Sequence, residues 1–373
     1  MSNSKDAFNK LLDTLHQQIE GYLVPERGIV SEVDTAEGFR YILHMLSAAI
    51  DLYLEGSPDY PQFVRIVSPT RKLMGDNPDA IYHFARIRDD RSYRITGTRG
   101  DECYLSFTVH GRPADGRLGA AAEPVLADMN DRDFRISPDG SFQIILSPEE
   151  QKGNWIKLLP GAASLITRHY YELEASPAAQ PDRHIDLSIE PLDPPPPRPP
   201  LNDESIALSI EDMVAFLRGG TVDMMIPGSI PIPFISTIPN ELPEPTVFQL
   251  AGQDAWGAVD IAYSMGPFRI EPDEALVMEG TLPDCAFANV VLWNRHMQTF
   301  EYRGRCISLN RKQIHFEEDG SYRIVIAHRD PGIPNWLDTE GHTEGTVFWR
   351  ILLPSEQPAK PHCRLMKLSE LKG

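Results

Sequence analysis

One stretch of this chain occurs twice. DGSFQIILSPEEQKGNWIKLLPGAASLITR runs from Asp139 to Arg168, and DGSYRIVIAHRDPGIPNWLDTEGHTEGTVFWR from Asp319 to Arg350. In each, Asp-Gly opens an alternating apolar strand (Phe142, Ile144, Leu146; Tyr322, Ile324, Ile326). A loop then reaches Asn-Trp (Asn154-Trp155; Asn335-Trp336), and a second apolar strand carries an arginine (Arg168; Arg350). Upstream, GTRGD at 97–101 answers GTLPD at 280–284, ahead of the strands YLSFTV and FANVVLW. Two matched blocks in the same order mean an internal duplication, so the fold must accommodate one unit twice, over residues 81–190 and 246–373.

The unit is β. Short alternating runs (SYRITG, CYLSFTVHG, DFRISPDGSFQIILS, SLITRHYYELE) are punctuated by Gly, Asp and Pro, the pattern of antiparallel strands. Pro-Asp-Gly at 138–140 and Glu-Asp-Gly at 318–320 supply positive-φ positions and predict hairpins. Ahead of the first copy, residues 1–80 form a helical segment. Phe8, Leu11, Leu12, Leu15 and Ile19 are spaced as one helix stripe, and Ile42, Leu43, Leu46, Ile50 and Leu54 as another. The second helix is capped by Asp34 with Glu37 and closed at Gly56.

Between the copies, residues 191–245 hold the run LDPPPPRPP, which offers almost no backbone N–H and favours extended polyproline II, so it reads as a stiff spacer. A third helix, SIEDMVAFLRG, buries Ile210, Met213, Val214 and Leu217. After it, Met224, Met225, Ile226, Ile230, Ile232, Phe234, Ile235 and Ile238 are interrupted by Pro227, Pro231, Pro233 and Pro239. Neither a helix nor a central strand can form there. Such an apolar run is a flap over a pocket, an arm on a second subunit, or packing between the copies.

Charge excludes several functions. With 35 Lys+Arg against 54 Asp+Glu the chain carries −19, a field that repels phosphate backbones and anionic lipid, so nucleic acid is not an expected partner. No apolar run approaches the roughly 20 residues of a membrane span, so no membrane partner is expected. The four cysteines show no C-x-x-C spacing and the N-terminus no signal-peptide pattern, which points to reduced thiols and a cytoplasmic location.

The two copies serve as each other's control. Shared features should serve folding, and features confined to one copy are freer to serve function. In copy two Ser147-Pro148-Glu149-Glu150 gives way to Ala327-His328-Arg329-Asp330, and the residues from Lys157 give way to Asp338, Thr339, His342 and Glu344. A histidine held by Asp330 or Asp338 suits acid–base catalysis, with Arg329 or Arg311 stabilising negative charge. The catalytic candidates are therefore His328, Arg329, Asp330, Asp338 and His342, and the substrate-binding candidates Asn289, Asn310, Arg311, Trp336, Met225 and Phe234. The spacing matches no strong metal signature, and no nucleophile elbow, P-loop or dinucleotide fingerprint is present, so neither metal nor cofactor is expected.

The segments ALVMEGTLPDCAFANVVLWN, SLNRKQ and HRDPG-x-PNWLD-T-x-GH-x-EG resemble the bacterial family grouped as domain of unknown function 1214, sometimes found with the related domain 1254. The resemblance implies paired antiparallel β-sandwiches of jelly-roll type. It points to Asn310, Arg311, His328, Arg329, Asp330, Asn335, Trp336, Asp338 and His342 without giving any of them a role. The expectation is a mainly β protein with two tandem jelly-roll-like sandwiches and an N-terminal helical segment. Its expected function is metal-independent acid–base chemistry, hydrolytic or lyase-like, on a small, partly apolar organic substrate at the 328–344 loop. The alternative is a non-catalytic ligand-binding or assembly protein, compatible with a homo-oligomer. A pocket at the loop favours the enzyme, and a closed, paired loop the alternative.

Overall fold

The computed structural model describes residues 2–119, 123–226, 228–247 and 256–371, so Pro227 of the apolar run lies outside the described residues. The first copy contributes β1 (Val64–Arg65), β2 (Ala80–Arg86), β3 (Tyr93–Thr98), β4 (Tyr104–Gly111) and β5 (Val125–Asn130), then β6 (Ser141–Ser147), β7 (Trp155–Lys157), β8 (Ala162–Tyr170) and β9 (Leu187–Pro191). The second contributes β10 (Thr246–Val247), β11 (Ile261–Arg269), β12 (Glu274–Thr281), β13 (Phe287–Trp293) and β14 (Ser308–Asn310), then β15 (Ser321–Ala327), β16 (Trp336–Asp338), β17 (Glu344–Leu352) and β18 (His362–Lys367).

Each copy is a sandwich of one five-stranded and one four-stranded sheet. The orders are β1-β2-β8-β4-β5 with β7-β6-β3-β9, and β10-β11-β17-β13-β14 with β16-β15-β12-β18. Every strand of copy one has its counterpart nine strands later in the same place, which is the duplication in three dimensions. Pairing is antiparallel except for β6 with β7 and β15 with β16. Period-two alternation places Leu105, Phe107 and Leu165 of the larger sheet against Tyr93, Ile144 and Leu146 of the smaller one. Val290, Val347 and Trp349 meet Leu276, Ile324 and Ile326 in copy two.

The repeated Asn-Trp pair sets the parallel ladders. Asn154 Oδ1 accepts the Arg135 N–H, and its Nδ2 donates to the carbonyls of Arg135 and Gln143. Asn335 does the same with His315 and Arg323. Each following indole donates to a strand carbonyl, Trp155 to Ser147 at 3.1 Å and Trp336 to Ala327 at 3.0 Å. The expected hairpins at 138–140 and 318–320 form as tight turns with Gly140 and Gly320 at φ 85° and 82°, closed by the Ser137 N–H donating to the Ser141 carbonyl and the Glu317 N–H to the Ser321 carbonyl, with Phe316 bridged antiparallel to Tyr322. The named strands either side, β5 and β6 or β14 and β15, belong to different sheets, so the chain changes sheet between them.

The helices form one layer rather than separate segments. α1 (Asn3–Gly21), α2 (Glu32–Ala49) and α3 (Asp203–Gly219) share a core in which Leu11, Tyr41, Met45, Phe216 and Leu217 pack on Phe84 and Ile166 of the first large sheet. The cap of α2 is Ser31 with Asp34, not Asp34 with Glu37, since the Ser31 hydroxyl accepts the Asp34 N–H while the Asp34 carboxylate accepts the Ser31 N–H. α2 runs on into a wider turn over Ile50–Leu54. Its buried stripe is Tyr41, Ile42, Met45, Ala48 and Ala49, so Leu43 and Ile50 face outward, as do Phe8, Leu12 and Ile19 of α1.

Candidate ligand cavity between the two sandwiches

The outer faces of the two five-stranded sheets meet. Tyr170 of β8 packs on Phe287 of β13 with ring centroids 5.0 Å apart. Asp79, just before β2, accepts from Asn289 Nδ2 at 2.9 Å and Asn310 Nδ2 at 3.0 Å, and Arg311 grips Glu172 through Nε and Nη2. Asn289, Asn310 and Arg311, expected to bind substrate, thus join the two copies.

Between these faces lies a cavity of about 310 Å³. On the facing walls, Tyr82 of β2 is registered with Arg168 of β8, and Tyr263 of β11 with Arg350 of β17. These are the same positions of the duplicated unit, so the duplication places a Tyr-Arg pair on each wall. Trp256, Trp293, Phe348 and Tyr170 complete an aromatic lining. Of the apolar run, Phe234 and Ile235 close one side, held by the Met265 N–H donating to the Phe234 carbonyl at 2.8 Å. Phe234, expected to bind substrate, lines this cavity. Met225 stays 45% exposed and does not line it.

The charges here are unusual. Arg168 and Arg350 are 3% and 4% exposed, yet neither forms an ion pair among the described residues. Arg168 donates from Nη1 to Thr108 Oγ1 and from Nη2 to the Trp256 carbonyl at 2.8 Å. Arg350 donates from Nη2 to the Gly75 carbonyl at 2.6 Å and stacks on Phe348 (4.4 Å to the centroid) and Trp293 (5.0 Å), while its buried Nη1 has no hydrogen-bond partner. Tyr82 donates to the Tyr170 hydroxyl at 3.2 Å, and burial pushes both phenols upward, so they are neutral donors. An open cleft elsewhere is lined by Arg183, Arg303 and Arg305, but these are paired with Asp101, Glu301 and Asp338.

The 328–344 loop lines neither space. His328 Nε2 bonds the Ile270 carbonyl and Nδ1 the Thr339 hydroxyl. His342 Nδ1 donates to the Thr339 carbonyl and Nε2 to Glu37 of α2, with its ring stacked on Phe300 at 4.4 Å. Burial opposes charge on His342, but Glu37 outweighs it and raises the imidazole's pKa, and the ring ties the loop to the helix. Asp338 pairs with Arg305 at 2.7 Å, Asp330 caps its own turn through the Gly332 N–H, and Arg329 is exposed. Trp336 is taken up by its ladder hydrogen bond. Burial raises all four thiols, Cys103 to about 12 and Cys306 to about 11, so none offers a ready thiolate. Among the described residues no three His, Cys, Asp or Glu side chains gather as a metal site would need, and no helix is long and apolar enough to cross a membrane.

A family model described as a protein of unknown function, DUF1214, matches residues 84–173 and again 275–356. The chain carries the DUF1214 domain twice. Each DUF1214 region contains one of the two cavity arginines, and their facing sheets enclose the cavity. The chain is similar to an uncharacterised protein of known structure from Burkholderia cenocepacia, at 29% identity over 98% of both chains with a TM-score of 0.84. A Vibrio parahaemolyticus protein of known structure is 12% identical, over 88% of this chain and 98% of its own, with a TM-score of 0.49. Among curated proteins none matches.

Comparing the copies for differences passes over Arg168 and Arg350, because they are shared. The signal that finds them is local. In SLITRHY and TVFWRIL an arginine shares a face with Ile166 and Tyr170, or with Phe348 and Leu352. A cation on an apolar strand face requires either a partner or a ligand.

Proposed function

We propose that this protein binds a small, partly apolar organic molecule in the cavity between its two DUF1214 sandwiches. The observation that carries this reading is the cavity itself: aromatic walls from both copies, side chains from the proline-broken run at one edge, and two buried arginines among the lining. Binding is favoured over acid–base chemistry at the 328–344 loop because both ring nitrogens of His328 and of His342 are engaged, which leaves no imidazole nitrogen for proton transfer.

Gly257 provides the test. It lines the cavity, and a Cβ added there meets nothing within 4 Å, so Gly257→Leu occupies the space without a clash at its first atom. Trp256 and Trp293, in the cavity wall, report occupancy by fluorescence. Small aromatic and aliphatic molecules, charged and uncharged, are titrated into both proteins. Saturable quenching in the wild type and none in a Gly257→Leu protein with unchanged circular dichroism is expected. Equal responses in the two proteins would place binding elsewhere.

A further inference from the structure

Resting on that reading, we infer that the ligand is a monocarboxylate with an apolar, flat or short-chain body, its carboxylate seated on Arg350. A guanidinium has five N–H donors in a planar fork. In Arg350 one is committed to the Gly75 carbonyl, while Nη1, buried and without a partner, is available. A buried cation without an ion-pair partner is costly, and a ligand carboxylate at Nη1 would offset that cost.

Among the described residues no carboxylate forms an ion pair with Arg350, although Asp76 and Asp79 both lie near enough to feel its charge. Asp76, which lines the cavity, accepts the Thr299 N–H at 2.9 Å and the Thr299 hydroxyl at 2.5 Å. Burial raises the pKa of this carboxyl, and the charges of Lys72 and Arg350 and the Thr299 hydrogen bonds oppose that rise. Arg168 reaches Asp128 only through the Thr108 hydroxyl, which donates to that carboxylate. Two guanidiniums on the cavity walls therefore face a single lining carboxylate that is already engaged.

The shape of the donor set selects the head group. Nη1 carries two unclaimed N–H groups and Nη2 keeps a second beside its bond to Gly75, so the end of the fork can meet the two oxygens of a carboxylate. Flanking it, Phe348 has no donor and the Trp293 indole N–H is already given to the Asp76 carbonyl, so the further oxygens of a phosphate would have to find donors elsewhere in the cavity. Those same walls accept an aromatic ring or a short alkyl chain. The stack of Phe348 and Trp293 holds the guanidinium plane in place, so little ordering is needed when the acid arrives.

The test compares each acid with its uncharged amide on the whole chain: benzoate with benzamide, phenylacetate with phenylacetamide and hexanoate with hexanamide, followed by calorimetry and tryptophan fluorescence. At least one acid should bind about ten-fold to a hundred-fold more tightly than its amide, the range of a charge-assisted hydrogen-bond pair. Arg350→Met should erase that preference while Arg168→Met reduces it less. Arg350→Gln is a second variant that keeps a donor in place should the methionine protein fold poorly. Acids and amides that bind equally to the wild type would overturn the carboxylate assignment and leave the cavity reading standing. No binding by any of the six compounds would overturn both. An acid preference that survives in both Arg350 variants would remove Arg350 from the account.

Discussion

Asp79 shows how strongly single side chains at the junction between the copies are coupled to folding. Burial raises its pKa from 3.8 to about 6, and the hydrogen bonds from Asn289 and Asn310 offset only part of that. A carboxyl whose folded pKa is raised holds its proton more tightly in the folded state. Its contribution to stability is complete below pH 3.8 and is lost as the pH rises through about 6. The shift corresponds to about 3 kcal/mol. Chemical unfolding of wild type and Asp79→Asn at pH 4 and pH 7 isolates this term from the other carboxylates. The wild-type advantage should shrink by roughly that amount between the two values, and a constant advantage would show that Asp79 titrates normally. Asn289 and Asn310 were legible as polar residues on apolar strands. Their partner was not, because Asp79 lies more than two hundred residues away in sequence and meets them only when the sheets close.

Among the elements, the strands were the most legible, since period two and the repeated Asp-Gly and Asn-Trp signals act locally. The helix stripes were less so. Leu43 and Ile50 fit the helical spacing as well as Tyr41 and Met45 do, and only the packing of α3 and the first large sheet decides which face is buried. The repeated asparagine gives an element-level comparison. Asn154 and Asn335 each join three backbone groups of neighbouring segments, but Asn335 is buried and Asn154 half-exposed. Water can replace the lost bonds around residue 154 but not around 335. Asn335→Ala should therefore cost about 3 kcal/mol and Asn154→Ala about 1 kcal/mol in denaturant unfolding. Equal costs would mean that the ladder at β15 and β16 does not depend on its asparagine.

At the scale of the whole molecule, duplication does more than repeat a fold. It presents the same strand position from two sides, so one Tyr-Arg pair per copy becomes two walls of one cavity. Reading each copy as a unit reveals the sandwiches but hides the cavity, which lies between them. The proline-broken run had three readings in the sequence. Its Phe234 and Ile235 close the cavity, while Met225, Ile226, Ile230 and Ile238 remain exposed. The most direct measurement is a crystal structure of the whole chain soaked with 4-bromobenzoate, with the bromine located by anomalous scattering. The account predicts a bromine peak inside the cavity among Trp293, Phe348 and Phe234, with the carboxylate on Arg350. A peak in the open cleft beside Arg303 and Arg305, or at the 328–344 loop, with the cavity empty, would contradict it.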